Sequence, residues 1–220
     1  MAIAPGAVAL ALIYFGIKEP ATREREKITT TKPLPWQFWL FAIAASIVML
    51  TKVNDSLFLV RASDLGIASS YLPAIFAGFT LLYAALSYPI GILSDRFGKL
   101  PMIATGWLVL SLVELGFSAN PNIETVLVLF AFYGLYFALT EGSGRALIAD
   151  LVSPESRGSA YAIFHTFIGL AVIFGGYGLG RLWDAASPTV AFKLSAFGAI
   201  VGSLMIFWLV LKNKRQHAIG

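Results

Sequence analysis

Polar positions are scarce along most of this chain, and where they fall divides it. Five long apolar runs lie at about 36–60, 70–93, 101–118, 124–150 and 158–182, and a sixth at about 188–211. Each approaches or exceeds the ~20 residues an α-helix needs to cross a hydrocarbon core. Turn signals separate them: Asp64-Leu65-Gly66, Asn120-Pro121-Asn122, Ser153-Pro154-Glu155 and Ser187-Pro188. Trp36 and Trp39 open the first run, where interfacial aromatics belong. The pattern predicts six spanning helices. Ahead of them, residues 2–17 are apolar but short for a span, and they read as the tail of a further helix, or as a short tilted anchor. Residues 18–35 change character abruptly. Lys18, Glu19, Arg23, Glu24, Arg25, Glu26, Lys27 and Lys32 bring charges of both signs, and Pro20, Pro33 and Pro35 punctuate them. That is a solvated linker.

Composition agrees with a membrane setting: 58% hydrophobic and 13% charged, against about 25% charged in soluble domains. With no cysteine, disulfides and thiolate metal sites are excluded. A net charge of +4 would suit nucleic acid only if it formed a patch. Here the basic residues sit in short connections and at the carboxyl end, so no nucleic-acid partner is expected. No lysine or arginine heads the chain, which argues against a cleaved signal peptide. The linker, Arg96, Lys99, Arg157, Lys212, Lys214 and Arg215 fall on one side of the predicted spans, and only Arg61, Arg181 and Lys193 near the other. This asymmetry places the linker and the carboxyl-terminal tail (213–220) in the cytoplasm.

Charges inside spans are the informative ones, each costing about 2.5–3.5 kcal/mol at mid-helix unless paired or wetted. Lys52 and Asp55 flank Asn54, and in one continuous helix their spacing puts both on one face. They read as an internal pair lining a solute pathway, with Asp55 a candidate proton or cation site, or as a pair that only cancels its own desolvation. Glu141 and Arg145, four apart in acid-first order, read as a gate or lower-cavity pair, or as helix stabilisation. Gly142 and Gly144 beside them suit close helix approach, as do Gly175, Gly176, Gly178 and Gly180. His165 reads as a polar core residue or a proton relay. Glu114, toward the outer end of its run, is expected to snorkel. No nucleophile elbow or His/Glu metal spacing appears, so no enzyme, metal or cofactor is expected.

One stretch is more specific. Gly91-Ile92-Leu93-Ser94-Asp95-Arg96-Phe97-Gly98-Lys99 connects two spans. It resembles the signature loop of the major facilitator superfamily, Gly-x-x-x-Asp-Arg/Lys-x-Gly-Arg/Lys-Arg/Lys. Gly91, Asp95, Arg96, Gly98 and Lys99 match, while Leu100 replaces the final base. Gly142 to Asp150, followed by Pro154-Glu155-Ser156-Arg157-Gly158, is similar to the end of the fourth helix in a half of such a protein.

The resemblance implies an all-α integral membrane protein: a six-helix half-bundle over 36–212, preceded by the tail of a further helix, equivalent to the carboxyl-terminal half of a transporter. It implies alternating access about a midplane site. The helices at 36–60, 70–93, 124–150 and 158–182 would line the cavity, with those at 101–118 and 188–211 in support. It carries over Lys99–Asp150 as a pair and turns Asp95 toward a helix amino end in the other half. The expected partners are the lipid bilayer, a small solute, and a complementary six-helix half or second copy. The rival readings are a split half without transport of its own and a partner-binding membrane subunit.

Overall fold

The computed structural model describes residues 33–219, with side chains through Asn213. The expected helix tail at 2–17 and nearly all of the linker therefore lie outside the described residues. From Trp36 onward the chain is helical apart from short connections: α1 Trp36–Thr51, α2 Asp55–Asp64, a 3₁₀ turn Ser69–Tyr71 leading into α3 Leu72–Phe97, α4 Lys99–Ser118, α5 Ile123–Leu151, a 3₁₀ turn Pro154–Ser156, α6 Arg157–Ala185 and α7 Pro188–Ile219. α1 and α2 together make one span, so six segments among the described residues are long and apolar enough to cross a membrane.

The first span differs from its prediction. It breaks at Lys52-Val53-Asn54, where Lys52 and Asn54 take extended backbone angles. Asn54 is the reason: its side chain accepts the Ser56 N–H at 2.9 Å and starts a new helix. Asn before Asp55-Ser56 is an amino-terminal cap signature, overridden in the sequence reading by the apolar run around it.

The connection at the signature stretch is also shorter than a loop. α3 continues to Phe97 and α4 begins at Lys99, so Gly98 alone makes the turn, at φ +94° and ψ 151°. Gly91, Asp95 and Arg96 thus belong to the last turns of α3. A backbone at Gly98's angles is close to glycine-only territory, where a side chain costs on the order of 1–3 kcal/mol. Gly98→Ala is expected to lower the thermal unfolding midpoint accordingly, although its Cβ would meet nothing nearer than Pro101 Cδ at 3.7 Å. Circular dichroism melting of the detergent-purified chain checks this.

Packing runs α3–α5–α4–α7–α1–α6 across the bundle. α4 and α7 form the centre, with Leu110, Val113, Phe117, Phe192, Ala199 and Ile206 fully buried. The flanking α3 and α6 bury least of themselves. Phe58 of α2 is the aromatic hub at the Arg61 end, edge-on to Phe117 and Phe192 at centroid distances of 5.1 Å each. Buried hydrogen bonds also join the helices, among them Ser94 to Ser143 between α3 and α5 at 3.0 Å, and Ser203 to the Ala104 carbonyl between α7 and α4 at 2.8 Å.

The ends are marked chemically. At one, Lys212 lies over the Trp36 and Trp208 rings, 4.1 and 5.0 Å from their centroids, a cation–π arrangement suited to an interface. At the other, Arg61 of α2 (8% exposed) donates to the Asn120 side chain and ties α2 to the α4–α5 turn. Asn120 holds φ +52° there, which Asn tolerates better than most residues.

Candidate functional site

A cavity of about 610 Å³ opens between α1, the Lys52–Asp55 break, α4, α5 and α6. Its walls are mostly apolar: Phe41, Met49, Trp107, Phe137 and Phe164 among them. Into these walls the fold inserts two ion pairs and a histidine.

The first pair forms across the helix break, not along one helical face as the spacing suggests. Lys52 is the residue that ends α1 and Asp55 is the first of α2. The break turns them toward each other, and Lys52 Nζ donates to Asp55 Oδ1. Tyr133 of α5 donates its hydroxyl to the same oxygen. Lys52 also lies over the Tyr133 and Phe137 rings, at 5.4 and 5.7 Å. A desolvated ammonium thus finds a carboxylate and two π faces. Asn54, named with them as a pathway residue, uses its side chain for the cap and lines the cavity.

The second pair sits farther along α5. Arg145 Nη2 donates to Glu141 Oε2 at 2.6 Å, and the Arg145 carbonyl accepts the Tyr161 hydroxyl of α6 at 2.6 Å. At 1.5 Å rise per residue, Glu141 lies about 12 Å beyond Tyr133 along α5. The two pairs therefore mark separate levels of one cavity. His165 is exposed on the α6 wall, stacked on Tyr161 at 6.3 Å and edge-on to Phe164 at 5.6 Å, so it is not the core histidine the sequence favoured. Where it sits, it faces the cavity.

Two expectations about the cavity change. No α3 residue lines it, while Ile103 and Trp107 of α4 do. The cause is packing order, since α3 lies beyond α5 and applies Phe79 and Tyr83 to it instead. The glycines are also less uniform than their spacing suggests. A Cβ on Gly175 would strike the Leu50 backbone, whereas Gly142, Gly176, Gly178 and Gly180 face open space, and Gly144 meets only Phe41 Cζ at 3.8 Å.

The signature residues form a separate group at the Trp36–Lys212 end. Lys99 Nζ pairs with Asp150 Oδ2, bridging the start of α4 to the end of α5. Arg157 Nε donates to the Ala149 carbonyl at 3.2 Å, satisfying a carbonyl near the end of α5. Arg96 lies over the Phe97 ring. Asp95 is exposed and makes no ion pair among the described residues, and Gly91 has no neighbour within 4 Å of where a Cβ would stand. Both present themselves outward from the bundle.

Glu114 is the residue the sequence misplaced. Instead of snorkelling, it is fully buried (0% exposed) between α4 and α7. Ser195 Oγ donates to its Oε1, and Ser195 in turn accepts the Val53 N–H at 3.0 Å. Its other oxygen, Oε2, has no hydrogen-bond partner among the described residues. Nothing in the spacing of α4 points to this; only the register of α7 against α4 brings Ser195 to it.

Six helices long and apolar enough to span a membrane among the described residues, with a charged cavity in one face, define an integral membrane protein. The chain belongs to the major facilitator superfamily, whose family model matches residues 36–219. It is similar to an uncharacterized MFS-type transporter, MJ1317, of Methanocaldococcus jannaschii, 30% identical over 93% of this chain and 53% of that protein. It is also similar to the uncharacterized protein Rv2265 of Mycobacterium tuberculosis, 26% identical over 92% of this chain and 52% of that one. A third relative is the uncharacterized MFS-type transporter YqjV of Bacillus subtilis, 28% identical over 70% of this chain and 37% of its own. The chain spans about half the length of the first two.

Proposed function

We propose that the protein is a secondary transporter that moves a small solute by alternating access coupled to protons, and that these six helices act as its carboxyl-terminal half. The observation that carries this reading is the cavity, which places Lys52–Asp55, Glu141–Arg145 and His165 at separate levels of an otherwise apolar wall. Charged side chains inside a spanning bundle are costly and mark solute or ion pathways. Here each charge is paired, so the wall carries alternating donors and acceptors at little net charge. Such a surface suits a small amphipathic organic solute.

The same four charges argue for a covering element. Left against lipid, the cavity face would present Glu141 and Arg145, which are 42% and 65% exposed at the side chain, to hydrocarbon. A complementary six-helix half, or a second copy of this one, would close the face and turn it into a central pathway. The outward-facing Asp95 and Gly91 would then meet that partner. The concentration of Lys99, Arg157 and Lys212 at one end supports a plasma (inner) membrane orientation with the linker and carboxyl terminus in the cytoplasm.

Proteoliposomes carrying the reconstituted assembly and a trapped pH-sensitive dye test the reading against a panel of small amphipathic solutes. The expected result is proton movement that depends on one class of solute and disappears in Glu141→Gln. Solute-independent behaviour across the panel, with folded protein of the expected assembly mass in the membrane, would favour a partner-binding subunit instead.

A further inference from the structure

One buried acid stands apart from the cavity. Glu114 lies outside the cavity lining, fully enclosed, with one carboxyl oxygen bonded and the other without a partner. A carboxylate enclosed this way usually gathers a cation or several donors. Glu114 has one serine hydroxyl, which is shared, with the Val53 backbone N–H close beside it.

The sharing matters because of what stands on its far side. Val53 is the middle residue of the break in the first span, and its N–H is freed from the helical ladder there. Ser195 accepts that N–H and donates its own O–H to Glu114. The break is thus held from behind by a two-bond relay ending on an ionisable group. From the front, the neighbouring residues Lys52, Asn54 and Asp55 line the cavity. The surroundings contain few other charges. Lys52 and Asp55 approach from the break, and Tyr133 and Tyr136 from α5. On α7, Ser195 meets Glu114, while Lys193 is exposed.

We infer that Glu114 is a proton-binding site whose occupancy sets the rigidity of the Lys52–Asn54 break and so transmits protonation to the cavity wall. A charged carboxylate holds the Ser195 proton with a charge-assisted hydrogen bond, which is about twice as strong as a neutral one. The serine oxygen is then fixed where the Val53 N–H needs it. A proton added to the free Oε2 removes the charge, weakens the grip on Ser195 and loosens the break. It also removes a competitor for Lys52, which tightens Lys52 on Asp55. The step is a simple protonation: one O–H bond forms at Oε2, and the proton comes from water. Use of this site in transport rests on the proton-coupled reading above, whereas its titration and its effect on the break do not.

The chain has no cysteine, so Ser56→Cys, at an exposed position just past the break, gives a single thiol reporter. Its alkylation by N-ethylmaleimide is followed against pH in the full chain in nanodiscs, with and without Glu114→Gln. Dividing the two rates at each pH cancels the titration of the thiol itself. The ratio is expected to stay near one at low pH and to fall roughly threefold to tenfold as Glu114 ionises. Infrared difference spectra of the same samples should show a protonated-carboxyl C=O band that disappears with rising pH and is missing in Glu114→Gln. Should Glu114→Gln fail to fold, Ser195→Ala serves as the reference, keeping the titrating band while losing the pH dependence of alkylation. A flat ratio, a carboxyl band that never titrates, or a Ser195→Ala protein with the full pH dependence would each overturn the inference. A positive result alongside failed proton movement in the proteoliposomes would overturn the transport reading alone.

Discussion

Gly175→Ala is expected to destabilise the bundle by about 3 kcal/mol, the upper part of the range for forcing a methyl group into a packed core. The added Cβ would collide with the Leu50 carbonyl, lying also 2.7 Å from its carbon and 2.8 Å from its Cα. These are backbone atoms of α1, one residue before its last, so relief requires moving the whole helix end. That end is also fixed by α7, where Gly198 leaves no room beside Thr51. Gly178→Ala and Gly180→Ala on the same helix face open space. They are expected to be neutral or to gain up to about 1 kcal/mol, as alanine does over glycine inside a helix. Thermal unfolding of the three variants in one detergent checks the contrast. Equal effects at all three positions would mean that α6 does not pack on α1 through Gly175.

Lys52→Met is expected to remove solute-driven proton movement while leaving the fold in place. Lys52 is 11% exposed at its side chain and Asp55 44%, so the loss falls mainly on a desolvated ammonium and its partner. A hydrogen bond to a charged group contributes about 1.5–3 kcal/mol, enough for a tenfold or greater loss of the competent state. Methionine fills the aliphatic part of the lysine volume, so packing against Tyr133 and Phe137 survives. Asp55 then keeps only the Tyr133 hydroxyl. The readout is proton movement in proteoliposomes set against the unfolding midpoint of the same protein. A large fall in both would make the pair structural. A fall in transport alone makes it part of the pathway.

Both predictions meet at the break in the first span, as does the Glu114 inference. α1 and α2 are separated by three residues, and around those residues converge Gly175 of α6, Ser195 and Gly198 of α7, Glu114 of α4 and Tyr133 of α5. Four helices therefore constrain one interruption. An interrupted helix is tolerated at membrane depth where protein or a cavity satisfies its freed groups, and here Ser195 does so for the Val53 N–H.

By itself the sequence determined the class of molecule. Runs of apolar residues set the number and length of spans, because only helices satisfy their own backbone in hydrocarbon. The Gly91–Lys99 spacing indicated the family, since a turn that tight needs glycine at Gly98 and charges at its rims. It also offered Lys52, Asp55, Glu141 and Arg145, because a charge inside an apolar run stands out whatever surrounds it. Tertiary structure alone decided the rest. Along a helix that is apolar all round, hydrophobic periodicity is faint, so neither the facing of Glu114 nor the exposure of His165 could be read from α4 or α6. Which glycine is tight, Gly175 and not Gly176, depends on where a neighbouring carbonyl falls. The absence of α3 from the cavity follows from the order in which helices pack. Local spacing fixes which residues share a helix; only the partners across the bundle fix what each of them meets.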